Sequence, residues 1–148
     1  MSFYKLIFIT SIFIAVQNDF VVLKNEETTI SSNKDYTEVI LLFTIKPGYH
    51  IQSNKEVPEN IIPTSIYFET SESYTISLQE LIVPVYDTVV LDETPHMVIS
   101  DEFQAKVHLK ALNSETSGSN LLKGILTYQA CDDKKCYFPR ELKFDISI

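Results

Sequence analysis

Glycine is scarce in this chain, with three among 148 residues. The sequence has neither G-x-G-x-x-G nor G-x-x-x-x-G-K-[ST], the patterns in which glycine lets the backbone cradle nucleotide phosphates. Basic residues are also few, since 12 Lys and Arg stand against 20 Asp and Glu and give a formal net charge of −8. No basic cluster is present that would neutralise a phosphate backbone. We therefore predict that neither a nucleotide nor a nucleic acid is a partner.

Internal repeats and low-complexity tracts are missing as well, which excludes a solenoid. The chain is 45% hydrophobic and 22% charged, the composition of a globular protein and not of a disordered one. Its length suits one domain, or one domain behind a targeting segment.

The N-terminus carries an uninterrupted apolar or hydroxyl run at residues 6–16, which follows Lys5. A basic residue before about 7 to 15 apolar residues is the secretory pattern, whereas a membrane-spanning helix needs about 20. We therefore predict a signal peptide at residues 1–17, a domain at 18–148, and a periplasmic or otherwise exported location. The alternative is a first β-strand, because the run is rich in isoleucine. The run contains no cysteine to accept a lipid anchor.

The rest of the sequence has the pattern of strands. Residues 103–111 and 142–148 alternate apolar and polar side chains, the period of two expected of a strand with one solvated face. Residues 38–45 are rich in β-branched and apolar residues and end at a turn-forming Pro-Gly pair. Further strands are predicted at 28–31, 65–70, 74–78 and 123–130, and a loop at 114–120. Short strands at this spacing predict an all-β antiparallel sandwich.

The two cysteines, Cys131 and Cys136, bracket two aspartates and two lysines between the last two predicted strands. If these strands pair, the cysteines face each other where the hairpin opens, and a disulfide fits there. Two interpretations remain open. As a structural staple, the bond closes a short loop, for which chain entropy gives about 2 kcal/mol. As a redox pair, it is accessible to an attacking thiolate.

A zinc site has less support. The histidines are His50, His96 and His108. We predict the first two in loops and the third on the polar face of its strand, so that all three are solvated surface side chains, and we predict neither a metal nor a cofactor. The charges between the cysteines cancel, which gives neither thiol a reason to be unusually acidic.

Residues 128–139, Tyr-Gln-Ala-Cys-Asp-Asp-Lys-Lys-Cys-Tyr-Phe-Pro, resemble the cysteine hairpin of the N-terminal periplasmic domain of the thiol:disulfide interchange protein DsbD. Residues 45–54, Ile-Lys-Pro-Gly-Tyr-His-Ile-Gln-Ser-Asn, and 62–66 are similar to other segments of that family. The resemblance implies an immunoglobulin-like sandwich whose redox pair, Cys131 and Cys136, passes electrons to thioredoxin-like periplasmic proteins. We therefore expect a thiol:disulfide oxidoreductase; the alternative is a non-catalytic binding or adaptor module with a structural disulfide.

The resemblance also implies supporting roles for two tyrosines. Tyr49 matches a family position near the hairpin and is expected to shield it, the alternative being ordinary packing beneath it. The family covers its disulfide with a loop that contains an aromatic residue and a glycine; the corresponding residues here, 85–95, contain Tyr86 and no glycine. The family protein continues into a membrane domain and a thioredoxin-like domain, whereas this sequence ends at Ile148. We therefore expect a separate membrane electron donor; the alternatives are that the chain was cut from a longer gene or that the fold serves another function.

Overall fold

The computed structural model describes residues 19–112 and 120–148. The predicted signal peptide at 1–17 and residues 114–119 of the predicted loop lie outside the described residues. A short 3-10 turn, Asn25–Glu27, follows the first strand. The strands, in chain order, are β1 (Val21–Leu23), β2 (Thr29–Ser32), β3 (Thr37–Ile45), β4 (His50–Gln52), β5 (Ser65–Phe68), β6 (Tyr74–Ile82), β7 (Asp87–Leu91), β8 (Thr94–Ile99), β9 (Phe103–Ala111), β10 (Leu121–Tyr128), β11 (Ala130–Cys131) and β12 (Arg140–Ser147).

The strands form three antiparallel sheets. The first has the order β1-β3-β9-β6, with β2 also paired to β3; the second is β12-β10-β5, and the third is β11-β4-β8-β7. The chain passes from the second sheet to the third at Gln129, between β10 and β11. The all-β, immunoglobulin-like antiparallel sandwich expected from the sequence is confirmed.

The core lies between the first sheet and the second. Strands β3 and β9 turn every second residue inward, so Phe43 and Phe103 are fully buried and stack with ring centroids 5.3 Å apart. Phe43 also meets the edge of Phe144 on β12 at 5.7 Å, which joins the two layers. The predicted alternation at 103–111 is therefore confirmed as the inner and outer faces of β9.

Residues 85–95, which the sequence resemblance matches to a covering loop, form most of a tight hairpin made by β7 and β8. The connecting residues Asp92 and Glu93 both have positive φ, at 48° and 66°. Two successive positive φ values are typical of the turn whose twist matches that of paired strands, and glycine or asparagine usually supplies them. Two acidic residues adopt this conformation here, so the missing glycine did not prevent a tight turn.

Within residues 19–112 and 120–148, no helix is long and apolar enough to cross a membrane.

Candidate redox site

Cys131 and Cys136 are joined by a disulfide, with their Cα atoms 3.9 Å apart. As predicted, the two cysteines lie between the last two long strands, and they form an antiparallel β-bridge with each other. The first cysteine belongs to a different sheet, however, because β11 pairs with β4 and not with β12. This second pairing buries Cys131 completely, whereas Cys136 is exposed.

The turn between the cysteines is built around the Asp132 carboxylate. Its Oδ1 atom accepts hydrogen bonds from the backbone N–H groups of Lys134 and Lys135, both at 2.8 Å. The Tyr137 hydroxyl donates to Oδ2, also at 2.8 Å. The two backbone donors, followed by the hydroxyl, lower the pKa of Asp132. The same hydrogen bond to a carboxylate raises the pKa of Tyr137 to about 12.

Gln52, the last residue of β4, reaches the disulfide from the neighbouring strand. Its Nε2 atom donates to the Sγ atom of Cys131 at 3.3 Å, and both residues are fully buried. Its Oε1 atom has no hydrogen-bond partner among the described residues. Sequence reasoning missed Gln52, although it lies inside the family-like segment at 45–54. The local sequence carries no signal for this contact, because the pairing of β4 with β11 creates it.

Gln129 makes hydrogen bonds to the cysteine hairpin and to the segment at 62–66. Its Nε2 atom donates to the backbone oxygen of Tyr137 at 3.1 Å, and its Oε1 atom accepts from the backbone N–H of Ile62 at 3.0 Å. Since Ile62 begins the family-like segment at 62–66, one side chain ties that segment to the cysteine hairpin. Gln129 lies inside the family-like segment at 128–139, but sequence reasoning gave it no role.

Tyr49 lies in an aromatic cluster beside the hairpin. Its ring centroid is 4.7 Å from that of Phe20 and 6.1 Å from that of Tyr137. Phe20 contacts Tyr137 at 4.7 Å and carries the Arg140 guanidinium 4.5 Å from its ring centroid. The structure thus places Tyr49 beside Tyr137, the residue that follows Cys136.

Tyr86 lies outside the aromatic cluster of Tyr49 and contacts two polar residues instead. Its hydroxyl donates to Oδ1 of Asn54 at 2.7 Å, and the Lys55 ammonium lies 5.3 Å from its ring centroid. Both partners follow β4, so Tyr86 ties the start of the β7–β8 hairpin to the segment after Gln52.

The predictions for His50 and His96 were wrong. Both residues lie on strands, β4 and β8, and both are buried, with 8% and 7% of their surface exposed. Each of these strands has a paired neighbour on both sides, so polar residues that look like loop residues in the sequence lie inside the sheet. His50 is in register with Cys131. Burial lowers its pKa, against the opposing effect of Asp132.

His108 is half-buried and not freely solvated, although it lies on the predicted face of β9. Its Nε2 atom is 2.8 Å from Oε2 of Glu38 on β3, and its ring stacks on Tyr36 at 4.0 Å between centroids. In the described part of the chain, no three His, Cys, Asp or Glu side chains lie close enough together to hold a metal ion.

An open cleft of about 410 Å³ adjoins the exposed cysteine. Phe138 forms one side of it and is 90% exposed. The cleft therefore places a large exposed apolar side chain beside an accessible sulfur. The residues that line the cleft are Gln129, Lys135, Cys136, Tyr137, Phe138 and Arg140.

No protein-family model and no curated protein matches the chain. Among solved structures, the N-terminal periplasmic domain of ScsB from Proteus mirabilis aligns with a TM-score of 0.62 and 16% identity, over 88% of this chain and 47% of that chain. The fold is similar to that of this ScsB domain. The N-terminal domain of Neisseria meningitidis DsbD in the reduced form aligns with a TM-score of 0.42 and 19% identity, over 81% and 82% of the two chains. The GAE domain of yeast GGA1 aligns with a TM-score of 0.49 and 10% identity, over 88% and 94%.

The expected resemblance to a DsbD N-terminal domain is thereby confirmed as a likeness of fold. The present chain spans about half of the ScsB chain, 47% of its length. It combines a ScsB-like fold with a disulfide whose one cysteine is buried and whose other is exposed. This combination describes, in general terms, a thiol-disulfide module.

Proposed function

We propose that residues 18–148 form an exported domain that exchanges electrons with thioredoxin-like proteins through Cys131 and Cys136. The observation that carries the proposal is the unequal exposure of the two cysteines beside an open cleft. An incoming thiolate needs access to one sulfur only, and the exposed Cys136 provides it. The buried Cys131 is then the sulfur that leaves.

The exchange balances as follows when the domain accepts electrons from a partner dithiol. A partner thiolate attacks Cys136 Sγ, a new disulfide forms between them, and the bond to Cys131 breaks with its electron pair left on Cys131. The partner's second thiolate then attacks the partner's first sulfur, which is bonded to Cys136 in the mixed disulfide, and Cys136 leaves as a thiolate. The partner ends as a disulfide, the domain as a dithiol after taking up two protons, and two electrons have moved. The same steps in reverse pass the electrons to an oxidised client.

A purely structural role gives a weaker account of this bond. The cysteines are five positions apart, so the bond closes a short loop, and chain entropy assigns it only about 2 kcal/mol. The turn also has its own hydrogen bonds around Asp132, so the disulfide is not its only constraint. A staple would gain nothing from the cleft and the exposed Phe138 beside it.

Phe138 supports a protein partner, because it offers an exposed aromatic contact next to the sulfur, and aromatic side chains buried at an interface are typical sources of binding energy. The sequence resemblance supplies the thioredoxin-like class of that partner. We further propose that a membrane protein supplies the electrons, and that residues 1–17 are removed as a signal peptide on export to the periplasm. Mass spectrometry of the protein recovered from the periplasmic fraction tests export: the proposal requires a chain that lacks the N-terminal apolar run.

The decisive experiment is the reduction potential of the Cys131–Cys136 bond. The protein is equilibrated in glutathione buffers, the free thiols are alkylated, and their number is counted by mass. A midpoint above about −250 mV supports exchange, whereas one below about −300 mV marks a structural disulfide and leaves a binding or adaptor module as the function. The second measurement is transfer from a reduced thioredoxin-like protein, with the Cys131→Ser, Cys136→Ser double variant as the control that cannot accept electrons.

A further inference from the structure

The buried amide of Gln52 contacts one of the two reacting sulfurs. Its Nε2 atom is 3.3 Å from Cys131 Sγ, in a setting where both residues are fully buried. A disulfide sulfur has lone pairs and no hydrogen, so only the NH₂ end of an amide can bond to it. The contact therefore has a fixed direction, with Gln52 as the donor and Cys131 as the acceptor.

The backbone holds this amide in place. The Gln52 N–H donates to the backbone oxygen of Gln129 at 3.1 Å, and its carbonyl accepts a hydrogen bond from the Thr64 hydroxyl. Strand β4 is itself paired on both edges, with β11 and with β8. The side chain thus leaves a rigid strand next to the sulfur, and the amide needs no rearrangement to remain there when the disulfide opens.

The oxygen of the Gln52 amide indicates that this side chain serves a function and does not add stability. Gln52 Oε1 is buried and has no hydrogen-bond partner among the described residues. An unpaired buried acceptor is destabilising, and such an atom in a folded protein calls for an explanation. An apolar side chain of similar volume would fill the same space without that cost. What the apolar side chain could not do is donate a hydrogen to Cys131.

We propose that Gln52 is a catalytic residue whose amide N–H stabilises the thiolate that Cys131 becomes when its bond to Cys136 breaks. This inference rests on the proposed exchange and adds a reason for its direction. A hydrogen bond to an ionised acceptor is stronger than one to a neutral sulfur, so the contact strengthens as charge develops on Cys131. A better stabilised leaving thiolate departs faster, and attack on Cys136 is favoured.

The test is the acidity of the Cys131 thiol in the Cys136→Ser variant, where it is the only thiol in the chain. The ultraviolet absorbance of the thiolate is followed against pH with and without Gln52→Met, which keeps the volume and removes the donor. We expect the Cys131 pKa to rise by about one unit, which lowers the thiolate fraction about tenfold at a pH well below both pKa values. His50, in register with Cys131 on β4, and Asp132, next in the chain, are titratable residues beside Cys131, and both are unchanged between the variants.

Val107→Ala is the control for lost stability. Val107 is fully buried on β9 in the first sheet, so the smaller side chain leaves a cavity away from β4 and β11. It should lower the free energy of unfolding without moving the Cys131 pKa. In the protein with both cysteines, Gln52→Met should slow opening of the disulfide by dithiothreitol several-fold, whereas Val107→Ala should not.

If Gln52→Met does not fold, Gln52→Leu also removes the donor and introduces no charge, and it must raise the Cys131 pKa as well. An unchanged pKa in either folded variant overturns the role of Gln52. Because this titration needs no partner, it can fail while electron transfer succeeds. The reverse result, a raised pKa with no transfer to any thioredoxin-like protein, rejects the exchange function alone.

Discussion

Cys131 is fully buried, and Cys136, to which it is bonded, is exposed. The cause is strand pairing: Cys131 is the last residue of β11 and lies against His50 of β4, whereas Cys136 comes after the Asp132 turn and faces the cleft. A partner sulfur can therefore approach only one member of the pair without disrupting the sheet.

The first prediction concerns the single cysteine variants. Cys131→Ser leaves the exposed Cys136 thiol free. It should accumulate a mixed disulfide with a thioredoxin-like protein whose second cysteine is replaced and whose first cysteine carries a disulfide-bonded thionitrobenzoate. The Cys136 thiolate attacks the partner sulfur, and thionitrobenzoate leaves with the electron pair of the broken bond. Cys136→Ser leaves only the buried thiol and should trap at least about tenfold less under the same conditions. Non-reducing gels and intact mass measure the two yields. Equal yields, or more from Cys136→Ser, would contradict the assigned order of attack.

The second prediction concerns Phe138. Phe138→Ser should raise the Kd or KM for a thioredoxin-like partner about tenfold, because an aromatic side chain that becomes buried at an interface is a typical source of binding energy. Its 90% exposure implies that the free energy of unfolding will hardly change. Tyr67→Ser is the control, since Tyr67 is exposed on β5, opposite Ile125 in the middle of β10. An equal loss of affinity in Phe138→Ser and Tyr67→Ser would show that the cleft is not the docking surface.

The sequence predicted the long strands because one of their faces is solvated. The period of two in 103–111 reports the inner and outer faces of β9, and the strand has those bounds. Strand β4 gives no such signal, since His50, Ile51 and Gln52 are all buried between paired neighbours. The β7–β8 hairpin was missed for a different reason: Asp92 and Glu93 adopt positive φ where the usual signal is glycine or asparagine.

The candidate site was only partly accessible to sequence reasoning. The spacing of Cys131 and Cys136 within one hairpin predicts their pairing, because it depends on local geometry. The contact from Gln52 to Cys131 joins residues 79 positions apart, and the pairing of β4 with β11 creates it. Nothing in the local sequence of either residue reports that pairing, so the buried donor became visible only in the fold.

The third prediction concerns the Asp132 carboxylate. Asp132→Asn keeps an oxygen that can accept the backbone hydrogen bonds of the turn and removes the charge, so the pKa of Tyr137 should fall from about 12 towards its ordinary value. Phenolate absorbance, measured as the difference from a Tyr137→Phe chain, gives this pKa. Asp133→Asn removes the same charge one residue away and should leave Tyr137 unchanged. A similar fall in both variants would assign the effect to net charge and not to the hydrogen bond.

The last prediction concerns pH and His50. Burial lowers its pKa below 6.5, so below that pH the unfolded chain binds the proton more readily than the folded one. The stability contributed by neutral His50 is therefore present above 6.5 and is lost as pH falls from 6.5 towards the lower folded pKa. Urea unfolding between about pH 7.5 and pH 5 should show that the free energy of unfolding falls on acidification. His50→Gln should make this fall smaller, because glutamine does not titrate. An NMR titration of the imidazole provides the direct check. If His50 takes up its proton above pH 6.5 in the folded protein, then Asp132 outweighs burial, and stability would instead increase on acidification through that range.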